Sequence, residues 1–215
     1  MIELAGGTLY HGDCLEVMKD IPDNAIDMVL CDPPYGQTPC EWDHVIDFTL
    51  LWQSYQRIVK KNGAICIFGQ EPYSSFVRLS NLSLYKYDWY WEKERLTNVF
   101  QANKRAGKTV ETISVFYVEQ CVYFPQKIRH IGKRVTNKIG KDARWSVTMA
   151  GHNQTTKPFE YHDDGTRLPT QVLRFRRDNP RERIHVTQKP VALCENLIKT
   201  YTQKGDMVLD NTIGS

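Results

Sequence analysis

Short unbroken apolar runs alternate along the first half of the chain with runs in which apolar residues recur every three or four positions. Ile26 to Cys31 is apolar except for Asp27, the pattern of a strand buried on both faces of a parallel sheet. Before it, Thr8–His11 reads as a short strand closed by Gly12-Asp13, and Cys14–Lys19 has helical spacing. Ile21-Pro22-Asp23-Asn24 then turns the chain into the Ile26 strand, which makes a β-α-β unit. Asp13 and Asp32 each close a strand, so both carboxylates are expected along one sheet edge. Val45–Lys60 carries apolar residues at 48, 51, 52, 55, 58 and 59, an amphipathic helix, and Lys60-Lys61-Asn62-Gly63 is its stop. Ala64–Phe68 is a third strand, Ser74–Leu82 a helix, and Tyr85–Glu92 and Thr112–Val118 are aromatic or β-branched strands separated by polar Lys93–Lys108. From Tyr123 to Ile184 periodicity is lost, and only Gln171–Phe175 reads as a strand. It returns with a helix over Val191–Thr200 and a strand over Met207–Asp210; Asn211-Thr212-Ile213-Gly214-Ser215 opens a glycine-rich turn.

The stretch Leu30-Cys31-Asp32-Pro33-Pro34-Tyr35-Gly36 organises the rest. Neither proline has an N–H and each fixes its own φ, so the strand ends at Asp32. The Asp32 carboxylate, the adjoining carbonyls and the Tyr35 ring are then presented at the carboxyl edge of the sheet, where open α/β sheets hold ligands. Acceptors beside an aromatic face suit a flat ring that carries an amino group. A plain loop start accounts equally well for these four letters taken alone.

Charge changes the picture next. Residues 1–60 carry ten acidic and three basic side chains, and the remainder fifteen acidic and twenty-five basic, beneath a net charge of only +3. Residues 127–144 hold seven Lys or Arg against Asp142 alone, and residues 167–189 hold seven against two acids. Amides and aromatics fill the gaps. Such a surface suits a polyanion, with cations for phosphates and amides for base edges, although a solvated loop has the same composition. The six cysteines (14, 31, 40, 66, 121, 194) form no C-x-x-C pair and several lie in apolar runs, so reduced thiols are expected rather than disulfides or a zinc site. No run of eighteen apolar residues and no signal-peptide pattern occurs, so a cytoplasmic protein with no membrane partner is expected.

Asp-Pro-Pro-Tyr near the front, a basic middle, then His185-x-Thr187-Gln188-Lys189-Pro190 and Leu209-Asp210-x-x-x-Gly214-Ser215 near the end form a specific combination. It resembles the amino-methylating DNA methyltransferases of the β permutation. Cys40-Glu41-Trp42-Asp43, Lys60-Lys61-Asn62-Gly63-Ala64 and Tyr87–Lys93 resemble its phage and prophage branch. The resemblance implies an α/β, Rossmann-like, circularly permuted S-adenosylmethionine-dependent methyltransferase fold with a mixed sheet. The implied strand order is 3-2-1-4-5-7-6, with strand 3 at Thr8–His11, strand 1 at Met207–Asp210, strand 4 at Ile26–Cys31 and strand 2 missing. It divides the chain into a catalytic part (1–122), a basic target-recognition insertion (123–184) and a cofactor-binding part (185–215), truncated within the glycine-rich motif. A second copy or another polypeptide is expected to complete the cofactor site.

The resemblance further implies methyl transfer from S-adenosylmethionine to an exocyclic amine of a base flipped out of double-stranded DNA. Tyr35 would stack on the flipped ring, with Pro34 completing the motif, while Asp32 and the Pro33 carbonyl accept from the amino group. Drawing those protons pulls the nitrogen toward sp³ and stabilises its developing positive charge. Asp13, with Cys14 beside it, would meet the adenine part of the cofactor, and a helix N-cap is an equal reading of Asp13. Asp210 and Gly214 would meet its methionine part. Thr187 and Lys189 would hold its carboxylate, with Gln188 and Pro190 shaping the turn. Lys127, Arg129, Lys133, Arg134, Lys138, Arg174 and Arg176 would contact DNA, and no metal site is implied. Asp in the first motif position is more typical of N6-adenine than of N4-cytosine methylation. The alternatives are N4-cytosine transfer, a DNA-binding remnant without catalysis, or methylation of RNA or a protein amide; the chain order and Asp32 argue against the last.

Overall fold

Strand β3 (Ile26–Cys31) lies inside a mixed sheet and divides its side chains between two cores. The computed structural model describes residues 1–4, 6–99, 103–129, 165–179, 181 and 187–213. In chain order these form β1 (Ile2–Leu4), β2 (Gly7–Leu9), α1 (Cys14–Val17) running into a 3₁₀ turn (Met18–Asp20), β3, α2 (Phe48–Ile58), β4 (Val59–Gly69), α3 (Tyr73–Ser80), β5 (Tyr85–Glu92) and β6 (Val110–Phe116). Then follow β7 (Ile128–Arg129), β8 (Thr166–Arg167), β9 (Val172–Leu173), α4 (Val191–Tyr201) and β10 (Val208–Leu209).

Six strands form the main sheet in the order β10-β3-β4-β6-β5-β9. The pairs β10–β3, β3–β4 and β5–β9 are parallel, and β4–β6 and β6–β5 are antiparallel. The run from β10 to β5 follows the 1-4-5-7-6 part of the expected order, and β9 adds a strand outside it. On one face, Val29, Cys31, Ile65 and Ile67 pack on Met18, Leu51, Trp52, Tyr55, Ile58, Tyr73 and Val77 from the 3₁₀ turn, α2 and α3. On the other, Met28, Leu30, Ala64, Cys66 and Phe68 pack on Leu193, Leu197 and Tyr201 of α4 and on Trp89 and Trp91. Helices thus cover both faces, which is why β3 reads as an unbroken apolar run.

Three expectations are corrected. Thr8–His11 does not join the sheet: Gly7–Leu9 pairs antiparallel with Ile2–Leu4 in a hairpin of its own. Among the described residues no strand lies beyond β10 to carry it, and local pairing closes a far shorter loop. Lys60–Gly63 is not the end of a helix but a bulge in β4: Ile26 pairs with Val59, yet Met28 pairs with Ala64. A Cβ on Gly63 would lie 2.9 Å from the Asp27 carbonyl, so only glycine fits there. Strand β6 begins at Val110, and this brings Glu111 opposite Trp91.

The chain divides into two compact units, Met1–Gln126 with Thr170–Ser215, and Lys127–Pro169. Within the second, the described β7 and β8 pair antiparallel. Among the described residues no helix is long and apolar enough to cross a membrane.

Candidate active site

Pro33 is buried at the end of β3, and Gly36 reverses the chain three residues later with φ of +66°. Asp43 holds this loop from within. Its carboxylate accepts from the backbone N–H groups of Gly36 (2.8 Å), Gln37 (2.9 Å) and Thr38 (2.7 Å) and from the Thr38 hydroxyl (2.7 Å). Burial works against the Asp43 charge, but these donors outweigh it and hold the carboxyl below its ordinary value. The loop is therefore set before any ligand arrives, and Tyr35 with it.

Tyr35 donates its hydroxyl to Asp32 Oδ1 at 2.7 Å, and its ring stacks on Tyr73 with centroids 4.9 Å apart and planes 28° off parallel. Burial, then the neighbouring Asp32 charge, pushes the Tyr35 hydroxyl well up, so it stays a donor. The other Asp32 oxygen, Oδ2, carries the Lys189 ammonium. Lys189 is nearly buried, with its ammonium 5.2 Å from the centroid of Phe68 and 6.0 Å from that of Tyr35. Its nitrogen also lies 3.6 Å from Glu111 Oε2, and Glu111 Oε1 is ion-paired with Lys93. Cation and anion thus alternate in the row Lys93, Glu111, Lys189, Asp32. The Gln188 turn that carries Lys189 is tied to Asp178: Oδ2 accepts from Gln188 Nε2 at 3.2 Å and from the Val191 N–H at 3.1 Å. Asp178 so caps α4, where the N-cap residue Pro190 has no donor or acceptor side chain to do so.

Asp210 follows β10, the parallel neighbour of β3. Burial of its carboxyl lifts it to about 6, the Thr212 N–H opposes this from 2.9 Å, and the Asp32 charge adds to the rise. The residue is still open to solvent on one side. Beside it, Asn211 Oδ1 accepts from the Tyr55 hydroxyl at 2.7 Å, and among the described residues the buried Asn211 Nδ2 has no partner within normal hydrogen-bond distance. Cys14 also reaches Asn211. Burial raises the Cys14 thiol, Asn211 counteracts this, and the Asp13 charge adds to the rise. Asp13 caps α1, accepting at Oδ1 from the Leu15 and Glu16 N–H groups at 2.9 and 3.2 Å. It does not end a strand of the main sheet, as its position after Thr8–His11 predicts, because that strand lies in the separate hairpin.

The structure thus brings Asp32, Pro33, Pro34, Tyr35 and Lys189 into one cluster, with Asp210 close enough to feel the Asp32 charge. Arg174 and Arg176 lie outside it, exposed and ion-paired with Glu92 (2.7 Å) and Glu94 (2.9 Å). Lys127 and Arg129 belong to the second unit, with Arg129 exposed on β7. Lys133, Arg134, Lys138 and Gly214 lie outside the described residues. Sequence reasoning missed Asp43, Tyr73, Glu111, Lys93 and Asn211. Asp43, Lys93 and Asn211 fall within stretches quoted above but carry no role there, Glu111 immediately precedes the expected Thr112–Val118 strand, and Tyr73 had no signal. Among the described residues no cluster of three or more His, Cys, Asp or Glu could hold a metal ion.

Two acid-ended parallel strands, with helices on both faces of a mixed sheet, are the architecture of S-adenosylmethionine-dependent methyltransferases. The fold matches that of the PvuII DNA methyltransferase (cytosine-N4-specific) with a TM-score of 0.60 at 17% identity, over 95% of this chain and 75% of that one. It matches the M1.HpyAVI complex with S-adenosylmethionine with a TM-score of 0.53 at 22% identity, over 95% and 84%. Residues 26–215 match the DNA methylase family of N6 and N4 methyltransferases, and the chain belongs to it. It is similar to the type II methyltransferase M.HinfI of Haemophilus influenzae, with 23% identity over 97% of this chain and 59% of that protein. It is also similar to the DNA adenine methyltransferase YhdJ of Escherichia coli, with 25% identity over 97% of this chain and 71% of that protein. The chain therefore spans about three-fifths of M.HinfI.

Proposed function

We propose that this chain carries the catalytic machinery of a site-specific DNA methyltransferase, which moves a methyl group from S-adenosylmethionine to the N6 amino group of an adenine flipped out of duplex DNA. The observation that carries this reading is Asp32 at the end of β3, paired with the Tyr35 hydroxyl and lying within the electrostatic reach of Asp210 on the next strand. Aryl amines are weak nucleophiles because the lone pair is delocalised into the ring. Asp32 and the Pro33 carbonyl accept hydrogen bonds from the N–H groups of the amine and orient the nitrogen, and Asp32 stabilises the charge that grows on it. Tyr35, backed by Tyr73, offers a stacking face for the extruded ring, a contact worth roughly 1–3 kcal/mol per base.

The chain's donors and acceptors fit S-adenosylmethionine, which when bound supplies an electrophilic methyl group. Asp210 has no cation bonded to it and its carboxyl titrates high, a match for an α-ammonium group. Asn211 Nδ2 is a buried donor in need of an acceptor. Cys14, which reaches Asn211, and Asp13 before it serve the adenosine end; Thr187 serves the carboxylate, with Gln188 and Pro190 shaping the turn. Residues 123–184 read the target, with Lys127, Arg129, Lys133, Arg134 and Lys138 on phosphates. Arg174 and Arg176 exchange exposed carboxylates for phosphates. The protein meets its DNA in the bacterial cytoplasm.

Asp in the first motif position and the adenine specificity in the name of YhdJ favour N6-adenine. The cytosine-N4 specificity of PvuII supports N4-cytosine as the second reading. Incubation with methyl-labelled S-adenosylmethionine and duplex DNA, followed by nucleoside mass spectrometry, tests both. N6-methyldeoxyadenosine is expected. N4-methyldeoxycytidine would overturn the choice of base, and retained DNA binding without any methylated nucleoside would leave a DNA-binding remnant instead.

A further inference from the structure

Both oxygens of Asp32 are already engaged, Oδ1 by the Tyr35 hydroxyl and Oδ2 by the Lys189 ammonium. An ammonium on a carboxylate cancels most of its field, and in a nearly buried site the cancellation is strong. A positive charge growing on a nearby nitrogen would then meet a neutral pair rather than an anion. Resting on the function proposed above, catalysis needs Lys189 drawn off Asp32, and a second anion must receive it.

Glu111 is placed to do so. Its Oε2 is buried, makes no hydrogen bond, and lies 3.6 Å from the Lys189 nitrogen. Its other oxygen is held by Lys93, whose side chain is 3% exposed, so the carboxylate is anchored at one end and open at the other. A buried carboxylate oxygen without a donor is costly and calls for an occupant. The lysine need cross only from contact with one oxygen to contact with the other, about 1 Å by the difference between 3.6 Å and a charge-assisted bond. The Phe68 and Tyr35 rings remain within cation–π reach of its present position. Charge is conserved throughout, since two cations and two anions occupy the row before and after.

We propose that Glu111 is a positioning residue that acts on Asp32 through Lys189. It takes the ammonium when the target amino group engages Asp32, and thereby restores the negative charge that the reaction uses. Lys93 fixes Glu111 for that role.

The test is a kinetic cycle on the full chain with duplex DNA, using Glu111→Gln, Lys189→Gln and the double variant. Glu111→Gln should lower kcat by about 30-fold, equivalent to about 2 kcal/mol, with KM for DNA and cofactor changed less than about threefold. In the Lys189→Gln background the same change should cost less than about threefold, because no ammonium is left to withdraw. An equal cost in both backgrounds, or no loss in the single variant, overturns the proposal while leaving the function proposed above intact. A second readout needs no turnover. In protein labelled with ¹⁵N-lysine, the Lys189 ammonium resonance should shift when target duplex is added to wild type and stay in place in Glu111→Gln. A wild-type resonance unmoved by bound duplex overturns the latch whether or not the chain methylates.

Discussion

Asp32 and Asp210 end neighbouring parallel strands, yet their surroundings are opposed. Asp32 has a hydroxyl on one oxygen and an ammonium on the other, within a row of alternating charges. Among the described residues Asp210 has only the Thr212 N–H and hydroxyl, and burial drives its carboxyl up to about 6. The first acid is held in place by this chain's own groups, a hydroxyl on one oxygen and an ammonium on the other. The second is left with unmet charge, the state expected of a carboxylate whose cation comes from a ligand. The same residue type at the same edge of the sheet thus has two different surroundings, and under the function proposed above the first would serve an uncharged amine and the second a cationic group.

Removing the cation from the first site should give the largest effect. Lys189→Met strips the partner from Asp32 and leaves Glu111 with Lys93 alone; breaking a buried pair in this way costs about 3 kcal/mol. Urea denaturation measures it, and a loss under about 1 kcal/mol would mean that the pair is solvated and the contrast with Asp210 weak. Next is the loop that carries Tyr35. Asp43→Asn replaces a charged acceptor of four hydrogen bonds by a neutral one and should cost about 2 kcal/mol. Because the folded Asp43 carboxyl lies below its ordinary 3.8, its contribution is complete above that value and is lost as pH falls through the folded one. Thermal melts in acid should therefore converge for the variant and wild type.

The smallest effect is expected at Asp210, and its sign is reversed. Its folded carboxyl titrates near 6 against an ordinary 3.8, so the folded chain binds the extra proton between these values. Stability from this group therefore falls as pH rises through that window. Asp210→Asn should abolish the slope and raise the melting temperature of the ligand-free chain at neutral pH, while weakening binding of S-adenosylmethionine by calorimetry. A variant less stable than wild type at neutral pH would show that Asp210 already has its partner.

How much of this could be read from the chain alone depends on sequence distance. Asp32 was legible because two prolines dictate where β3 stops, and Asp210 because an apolar run ends on it before a glycine-rich turn. Lys189 was legible as a site residue only through its motif; its bond to Asp32 spans 157 positions and follows from α4 packing over β3. Glu111 was hidden because the expected strand starts at Thr112, two residues after the observed Val110, which leaves the acid in a loop. The pairing of Trp91 with Glu111 buries that acid, and no local pattern encodes the pairing. Asp43 sits in a stretch without periodicity, and only the closed loop reveals its four donors. Thr8–His11 failed for a related reason: strand propensity says that a segment pairs, but not with which neighbour.

The central claim is that Asp32 acts on the reacting amine and not on binding. Single-turnover methyl transfer by Asp32→Ala on a target duplex, measured beside the Kd for DNA and for cofactor, tests it most directly. The rate should fall by at least about 10²-fold, the scale for loss of a preorganised electrostatic contact, with both Kd values within about threefold of wild type. Transfer retained within about tenfold, or a loss of rate matched by an equal loss of DNA affinity, would contradict it.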